Sequence, residues 1–213
     1  MKIQLSDEDN LEISQRSVVE VISFLNQKSS DEKSAVLLKL FEEILREVNR
    51  FSEDRKDLTM TSLKVRNIFE LYLITKHVNC NAKGLKSWCG QGYKDISDIN
   101  NGFIQLMTAG EKGVFGDVNG LKESQSFLDS ELAKSPYQSK VGFNIRQLAK
   151  DYGLDDHYMA IHKLCSKLIH PTSVKVNAYG ALTKNDDYLH VLIRVGVFFC
   201  QEIEKLASNI KNA

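Results

Sequence analysis

One stretch of the chain, residues 155–170, combines imidazole, hydroxyl and ammonium groups at helical spacing. His162, Ser166 and His170 follow one another at four-residue intervals, which places them along one ridge of an α-helix. Lys163 stands two turns before His170 and about 20° away around the helix axis. Because imidazole titrates nearer neutrality than other side chains, His170 is the best candidate for acid–base chemistry, and Lys163 could hold a phosphate beside it. The spacing therefore indicates metal-independent cleavage of a phosphodiester.

His170 also has a purely structural interpretation. Pro171 disfavours helical geometry in the preceding residue, so we expect the helix to end at His170. A histidine at that position can donate hydrogen bonds to the last carbonyl groups of the helix. We expect Lys163 and Lys167 to face solvent, while an apolar arc of the same helix faces the core. The members of that arc are Tyr158, Ile161, Cys165, Leu168 and Ile169.

A second polar group lies within residues 61–78, a stretch that is apolar almost all round and therefore predicts a central, largely buried helix. Arg66 and Glu70 are four residues apart, which is the spacing of a helical ion pair, and His77 lies along the same line. A buried charge must be paired, since an unpaired one is very costly. The pair is either a structural element or part of a site that orients a substrate, and both interpretations stay open.

One cluster has ligands of the kind that zinc binds. His77, Cys80 and Cys89 form a His-x2-Cys-x8-Cys pattern. A structural zinc site takes four nitrogen or sulfur ligands, and no fourth ligand is visible nearby. We therefore expect no metal and no other cofactor.

The bulk composition restricts the class of protein. The 213 residues include 28 basic and 28 acidic side chains, so the formal net charge is zero, although a local basic patch can persist in a neutral total. No apolar run approaches the roughly 20 residues of a membrane helix, and the start MKIQLSDEDN lacks the apolar run of a signal peptide. With four scattered cysteines, these features predict a cytoplasmic protein that contacts no membrane and whose thiols are reduced.

Helical periodicity predicts an all-α fold, and no stretch shows sustained strand-like alternation. We expect a single domain, residues 1–213, built as a bundle of six to eight helices. Eight of the 12 glycines fall between Gly84 and Gly120. That density predicts an irregular excursion over residues 81–120, either a surface loop or a lid, with a possible short helix from Asp95 to Met107. About fifteen residues of connection are expected after Pro171. The predicted helices cover about 6–27, a segment from Asp31, and about 61–78, 121–133, 145–152, 155–170 and 186–210.

The carboxy-terminal third resembles the HEPN superfamily, and in particular its helical abortive-infection-type proteins. HEPN ribonucleases cut RNA without metal, usually as dimers, through an Arg and a His separated by four to six residues. Here His170 matches the histidine, whereas Lys163 stands where the family has arginine, and Leu164 stands where it usually has a polar residue. The residues that carry the resemblance are Tyr158, Lys163, Ser166, His170 and Pro171, with the motif RNIFELYL in the central helix and the long final helix from about residue 186.

The resemblance implies a homodimeric protein of a prokaryotic phage-defence or toxin-type system that acts on RNA. His170 would be the acid–base group, Lys163 the phosphate holder, and Arg66 with Glu70 an orienting pair. The alternative is a non-catalytic helical interaction protein with a protein partner. A catalytic site needs His170 and Lys163 at an open cleft, whereas the alternative allows His170 to be buried or isolated. Further residues expected to contact the substrate are His162, Ser166 and Lys167.

Overall fold

The computed structural model of the protein describes residues 6–28, 30–109, 118–137, 143–184 and 186–212. Those residues form nine α-helices and no β-strand, so the all-α prediction is confirmed, while the expected count of six to eight helices is too low. Over the same ranges, no helix has both the length and the apolar character that a membrane crossing requires. The helices are α1 (Asp7–Gln27), α2 (Glu32–Glu53), α3 (Leu58–Cys80), α4 (Ala82–Ala109), α5 (Asn119–Lys134), α6 (Ile145–Asp151), α7 (Asp155–Ile169), α8 (Ser173–Leu182) and α9 (Asp187–Lys211).

The chain divides into two compact units. Residues Met1–Asn79 and Ile145–Ala213 form the first, which we call the main unit, and Cys80–Asn144 form the second. We call the second the hairpin unit, because α4 and α5 pack against each other within it. The expected single domain stays a prediction.

The first two helices begin where the sequence predicts. The Ser6 hydroxyl accepts a hydrogen bond from the Asp9 amide at 3.1 Å, and the Asp9 carboxylate accepts one from the Ser6 amide at 3.1 Å. This reciprocal capping box satisfies two amide groups that the first turn of α1 leaves unpaired. Asp31 caps α2 in the simpler way, by accepting from the Ser34 amide at 3.0 Å.

Aromatic side chains form the centre of the main unit. Phe51 on α2, Phe69 on α3 and Phe199 on α9 are fully buried. The Phe199 ring meets Phe69 edge-on, with ring centroids 4.8 Å apart, and Tyr72 lies 5.7 Å away. Such edge-on pairs stabilise a core beyond the area that they bury. Buried residues occur on nearly every side of α3, which confirms its predicted central position.

Gly196 lets α9 approach α2 closely. A Cβ atom added at Gly196 would stand 2.9 Å from Cε1 and Cε2 of Phe51 and nearer still to Cζ of the same ring. These distances are shorter than a van der Waals contact, and the surrounding core is close-packed. The Phe51 ring therefore occupies the space that any side chain at position 196 would need.

The expectation of an irregular segment over residues 81–120 is wrong for the part that α4 covers. The Asn81 carboxamide oxygen accepts hydrogen bonds from the Lys83 amide at 2.9 Å and the Gly84 amide at 3.4 Å, so it caps the start of the helix. Glycine inside a helix costs only about 1 kcal/mol relative to alanine, which packing offsets. Residues 110–117 of the Gly-rich run lie outside the described residues.

Phe143, near the end of the hairpin unit, packs onto α4. Phe143 donates its amide hydrogen to the Gln91 side-chain oxygen at 2.9 Å. Its ring meets Trp88 edge-on at a centroid distance of 5.6 Å. These contacts attach the end of the unit to the first half of α4.

The expected connection after Pro171 is also wrong, because α8 occupies most of it. Thr172 has extended backbone angles, and its hydroxyl accepts from the Lys175 amide at 3.3 Å. A threonine cap directly after the proline starts a new helix. Residues 173–182 lack a strong apolar period, so the Thr172 cap is the feature of the sequence that indicates this helix.

We predict that Gly196→Ala lowers the free energy of unfolding by about 1–3 kcal/mol, because the new methyl group overpacks against Phe51. Gly180→Ala is the control, since no atom lies within 4 Å of the position its Cβ would take. It should stabilise the protein by about 0.5–1 kcal/mol through helix propensity. Urea unfolding followed by circular dichroism measures both. In a Phe51→Leu background, Gly196→Ala should cost less stability than it does in the wild type, and an equal cost in the two backgrounds would contradict the assigned clash.

Candidate functional site

A glycine turn sets where α7 begins. Gly153 has a positive φ of 70°, a conformation that side chains disfavour. The Gly153 amide donates to the Lys150 carbonyl at 3.0 Å and the Leu154 amide to the Ala149 carbonyl at 2.6 Å. These bonds close the end of α6, so α7 can start at Asp155 against the helix before it.

The buried and exposed residues of α7 are distributed around the helix largely as predicted. Ile161, Cys165 and Leu168 are buried in the main unit, while Tyr158 and Ile169 are half-buried. Lys163 and Lys167 are exposed, as expected from the helical wheel, and so is His170. His162 and Ser166 are half-buried beside the apolar arc.

His170 ends α7, but its imidazole does not cap the helix. The Thr172 hydroxyl donates to the Lys167 carbonyl at 2.7 Å, and the Lys175 ammonium group donates to the Ile169 carbonyl at 3.4 Å. Only the backbone amide of His170 joins the helix end, donating to the Ser166 carbonyl at 3.4 Å. The ring of His170 is exposed and makes no hydrogen bond to any residue that the structure describes. It is therefore available to a ligand.

The other two histidines of α7 have aromatic partners. His162 stacks on Tyr158, with ring centroids 5.0 Å apart and an interplanar angle of 17°. His157 stacks on Phe198 of α9 at 5.8 Å and meets Phe199 edge-on at 5.9 Å. These contacts fix the orientation of His157 and His162, so His170 differs from both in having an unstacked ring.

The α7 surface belongs to a locally basic stretch that the charge balance of the whole chain conceals. No aspartate or glutamate occurs from His157 to Lys184, although the complete protein is neutral. The lysines of the stretch form no ion pair with a described residue, and they are Lys163, Lys167, Lys175 and Lys184. The sequence carries this signal as a run of 28 residues without an acidic side chain.

Arg66 and Glu70 form the predicted ion pair, with 2.7 Å between Nε and Oε1. Each side chain keeps 29% of its surface exposed, so the pair is partly buried and this side of α3 reaches solvent. The hydrogen bond to Glu70 raises the pKa of Arg66, and partial burial opposes that effect. Cys165 and Tyr158 contribute smaller charge effects, which places the pair near α7. No hydrogen bond or ion pair among the described residues joins it to His170 or Lys163.

His77, the third member of the predicted line, lies beside α6 instead. Its Nδ1 atom is 3.1 Å from the Tyr152 hydroxyl. Burial lowers the pKa of His77, and the Asp151 carboxylate opposes the shift. Within the described ranges, no three His, Cys, Asp or Glu side chains converge as a metal site would require.

The buried thiols are unsuited to nucleophilic chemistry. Burial raises the pKa of Cys165 to about 12, against the opposing effects of Arg66 and Ser62. Burial also raises the pKa of Cys200 to about 12. Because the thiolate is the reactive form, both residues are inert at neutral pH.

Two clefts of the main unit lie away from α7. One, of about 550 Å³, opens where α1 ends and α2 begins, beside Lys28 and Asp31. The other, of about 230 Å³, lies between α2 and α3 and is lined by three glutamates, Glu43, Glu47 and Glu70. Each of these glutamates is paired with an arginine, so that cleft has no uncompensated charge. His170 and Lys163 line neither cleft.

Comparison of the chain with protein-family models, curated proteins and solved structures finds no match. The HEPN resemblance therefore rests on the residues quoted for it and stays a prediction.

We predict that Glu70→Ala lowers the free energy of unfolding by about 1–2 kcal/mol, between the values for exposed and fully buried pairs. The reason is that Arg66 loses its partner at a position where most of its side chain is shielded from solvent. Glu43→Ala breaks a pair with the more exposed Arg46 and should change stability by less than about 0.5 kcal/mol. Equal losses in the two variants, measured by urea unfolding, would show that the Arg66–Glu70 pair is effectively solvated.

The four cysteines form no disulfide with one another, and they differ widely in exposure. We predict that a thiol reagent at pH 8 modifies the exposed Cys80 first and the half-buried Cys89 more slowly. Cys165 and Cys200 should react only after unfolding, because both are buried and protonated. Mass spectrometry of the time course identifies each site, and an intrachain disulfide in the purified protein would refute the assignment.

Proposed function

We propose that this chain acts on RNA as a metal-independent endoribonuclease of the HEPN type, in a prokaryotic defence or toxin-type system. The observation that carries the proposal is the exposed imidazole of His170, which has no described hydrogen-bond partner and follows the exposed Lys163 and Lys167 on one helix. Nucleic-acid phosphates are neutralised by cations, and the run from His157 to Lys184 has cations without acids.

The chemistry suits one titrating group and a nearby positive charge. His170 takes the proton from an RNA 2′-hydroxyl, whose oxygen then attacks the adjacent phosphorus. The bond to the 5′-oxygen breaks, and that oxygen takes up a proton, which leaves a cyclic phosphate and a 5′-hydroxyl. Cations stabilise the charge that builds on the phosphate oxygens during the attack.

The two lysines are placed for different phosphates. Along the axis, Lys167 precedes His170 by about 4.5 Å and Lys163 precedes it by about 10 Å. The side chains of Lys163 and Lys167 tilt alike toward the N-terminus of α7, so Lys167 stays the nearer of the two to His170 at the helix end. On this geometry Lys167 serves the phosphate that is cut, and Lys163 holds a neighbouring phosphate of the same strand. As a point charge, a lysine does this without the two-pronged geometry of arginine.

The proposal includes a homodimer. His170 and Lys163 lie on an open surface of α7, and catalysis is strongest where water is excluded. A second chain that covers this surface would exclude water from the site. We also propose a cytoplasmic location, where the four cysteines, which form no disulfide with one another, would remain thiols.

A second candidate function is a non-catalytic interaction protein. The observation that favours it is that the two clefts described above, one beside α1 and α2 and one between α2 and α3, are lined by no residue of α7. In that case the basic surface of α7 binds an acidic partner, and His170 is one contact among several.

We predict that purified protein cleaves a mixed RNA pool in the presence of EDTA. His170→Ala should lower the rate at least about 100-fold, the usual contribution of an acid–base group. His190→Ala is the matched control, because His190 is an exposed histidine on α9, outside the proposed surface. Gel analysis of the products measures all three proteins. Intact RNA with well-folded wild-type protein, or cleavage that survives His170→Ala, would decide for the non-catalytic function.

The lysines give a second set of variants. Lys163→Ala should weaken cleavage less than His170→Ala, and Lys163→Arg should retain or raise it, because arginine offers two donors to a phosphate. Lys39→Ala removes an exposed lysine from α2 and should leave the rate unchanged. RNA affinity measured by filter binding separates lost binding from lost chemistry. If Lys163→Ala and Lys39→Ala behave alike, the role of Lys163 is excluded.

A further inference from the structure

α4 of the hairpin unit carries an apolar stripe that solvent reaches. Ile96, Ile99, Phe103 and Leu106 are between 50% and 58% exposed. They are spaced by three, four and three residues, so they lie along one side of the helix. Exposed apolar residues are common singly, but four in a row on one helix indicate a surface that another element covers.

The stripe is the second half of a heptad pattern that runs through α4. Every a and d position from residue 82 to residue 106 is apolar or small, over about three and a half heptads. This repeat is the pattern of a helix that pairs with another helix along a continuous seam. The seam residues are Ala82, Leu85, Cys89, Gly92, Ile96, Ile99, Phe103 and Leu106.

α5 packs against a different side of α4. Gln125 of α5 donates to the Ser97 hydroxyl at 2.9 Å, and Asn100 is buried at the same side of the helix. That side lies about a third of a turn from the centre of the exposed stripe. The contact between α4 and α5 therefore leaves the exposed half of the seam, Ile96 to Leu106, uncovered.

We propose that the α4 seam is a docking surface for the α4 seam of a second copy of this chain. A second copy presents the same heptad spacing, so the two seams match in register along their length. The positions that flank the exposed half carry a single charge, on Asp95, beside the uncharged Asn100, Gly102 and Met107. Two copies can therefore associate with little charge repulsion. A partner that is recognised through its charge would find only one charged side chain beside the exposed half of the seam.

The area of the stripe sets the strength of this contact. Large side chains bury roughly 150–250 Å² when covered, so four that are half exposed offer on the order of 350 Å² per chain. Homodimer interfaces are about 65% apolar, which implies a total interface of about 1,100 Å² for two chains. That value lies just above the roughly 1,000 Å² of a specific interface. An interface of this size lies at the lower end of specific contacts, so we expect a weak, concentration-dependent dimer.

Sedimentation velocity without RNA tests this assembly over low to high micromolar concentrations. The wild type should pass from monomer to dimer, and Ile99→Asp and Phe103→Asp should each raise Kd at least about tenfold. Asn101→Asp is the matched control, since it adds the same carboxylate to the opposite side of α4 and should dimerise as the wild type does. A wild type that stays monomeric throughout overturns the proposal, and so does equal dimerisation of Ile99→Asp.

Two further tests apply if Ile99→Asp or Phe103→Asp fails to fold. Ile99→Ala with Phe103→Ala improves helix propensity while it removes about half of the exposed apolar area, so this variant should stay helical and should associate at least about tenfold more weakly than the wild type. In a Cys80→Ser, Cys89→Ser background, Ile99→Cys should be joined to a second copy by a short bismaleimide, whereas Asn101→Cys should not. Equal cross-linking at the two positions overturns the proposal. The result does not depend on the proposed RNA activity, because RNA enters neither measurement.

Discussion

The fit of the Phe51 ring against the bare backbone of Gly196 is the contact on which the main unit depends. It brings α9 against α2 at a distance that no side chain at position 196 would allow. With α9 at that distance, Phe199 reaches Phe69 of α3, and Phe198 lies beneath the imidazole of His157. A core of this density transmits displacements rather than absorbing them. The pose of α7, which carries the candidate site, is thus set partly by a glycine on another helix.

Periodicity and capping were sufficient to predict the helices of the main unit that pack through a continuous apolar face. The boundaries of α1 and α2 followed from Ser6 and Asp31, because a side-chain cap is a local interaction. α4 was predicted only as a possible short helix from Asp95 to Met107, for the opposite reason. Its glycines argued against a helix one residue at a time, whereas its heptad repeat extends over 25 residues, from Ala82 to Leu106. α8 was missed because it has no buried residue, so it leaves no apolar period to detect.

The candidate site divides in the same way between local and tertiary information. The exposure of Lys163 and Lys167 and the helix end at His170 depend on α7 and Pro171 alone, and they were predictable. The partners of the last carbonyls were not, because Thr172 and Lys175 reach them only after α8 has formed. Nor was the partial exposure of Arg66 and Glu70, since the apolar composition of α3 does not say which side of the helix its neighbours leave uncovered.

The separation of the α7 surface from the core has an evolutionary consequence. Lys163, Lys167 and His170 are exposed, and their side chains form no hydrogen bond or ion pair with the described part of the chain. Substitutions at such positions usually change stability by less than about 0.5 kcal/mol. Selection for folding therefore acts on Ile161, Cys165 and Leu168, and it leaves the opposite side of the same helix to drift. A lineage can gain, exchange or lose chemistry at this surface while its core sequence stays constant.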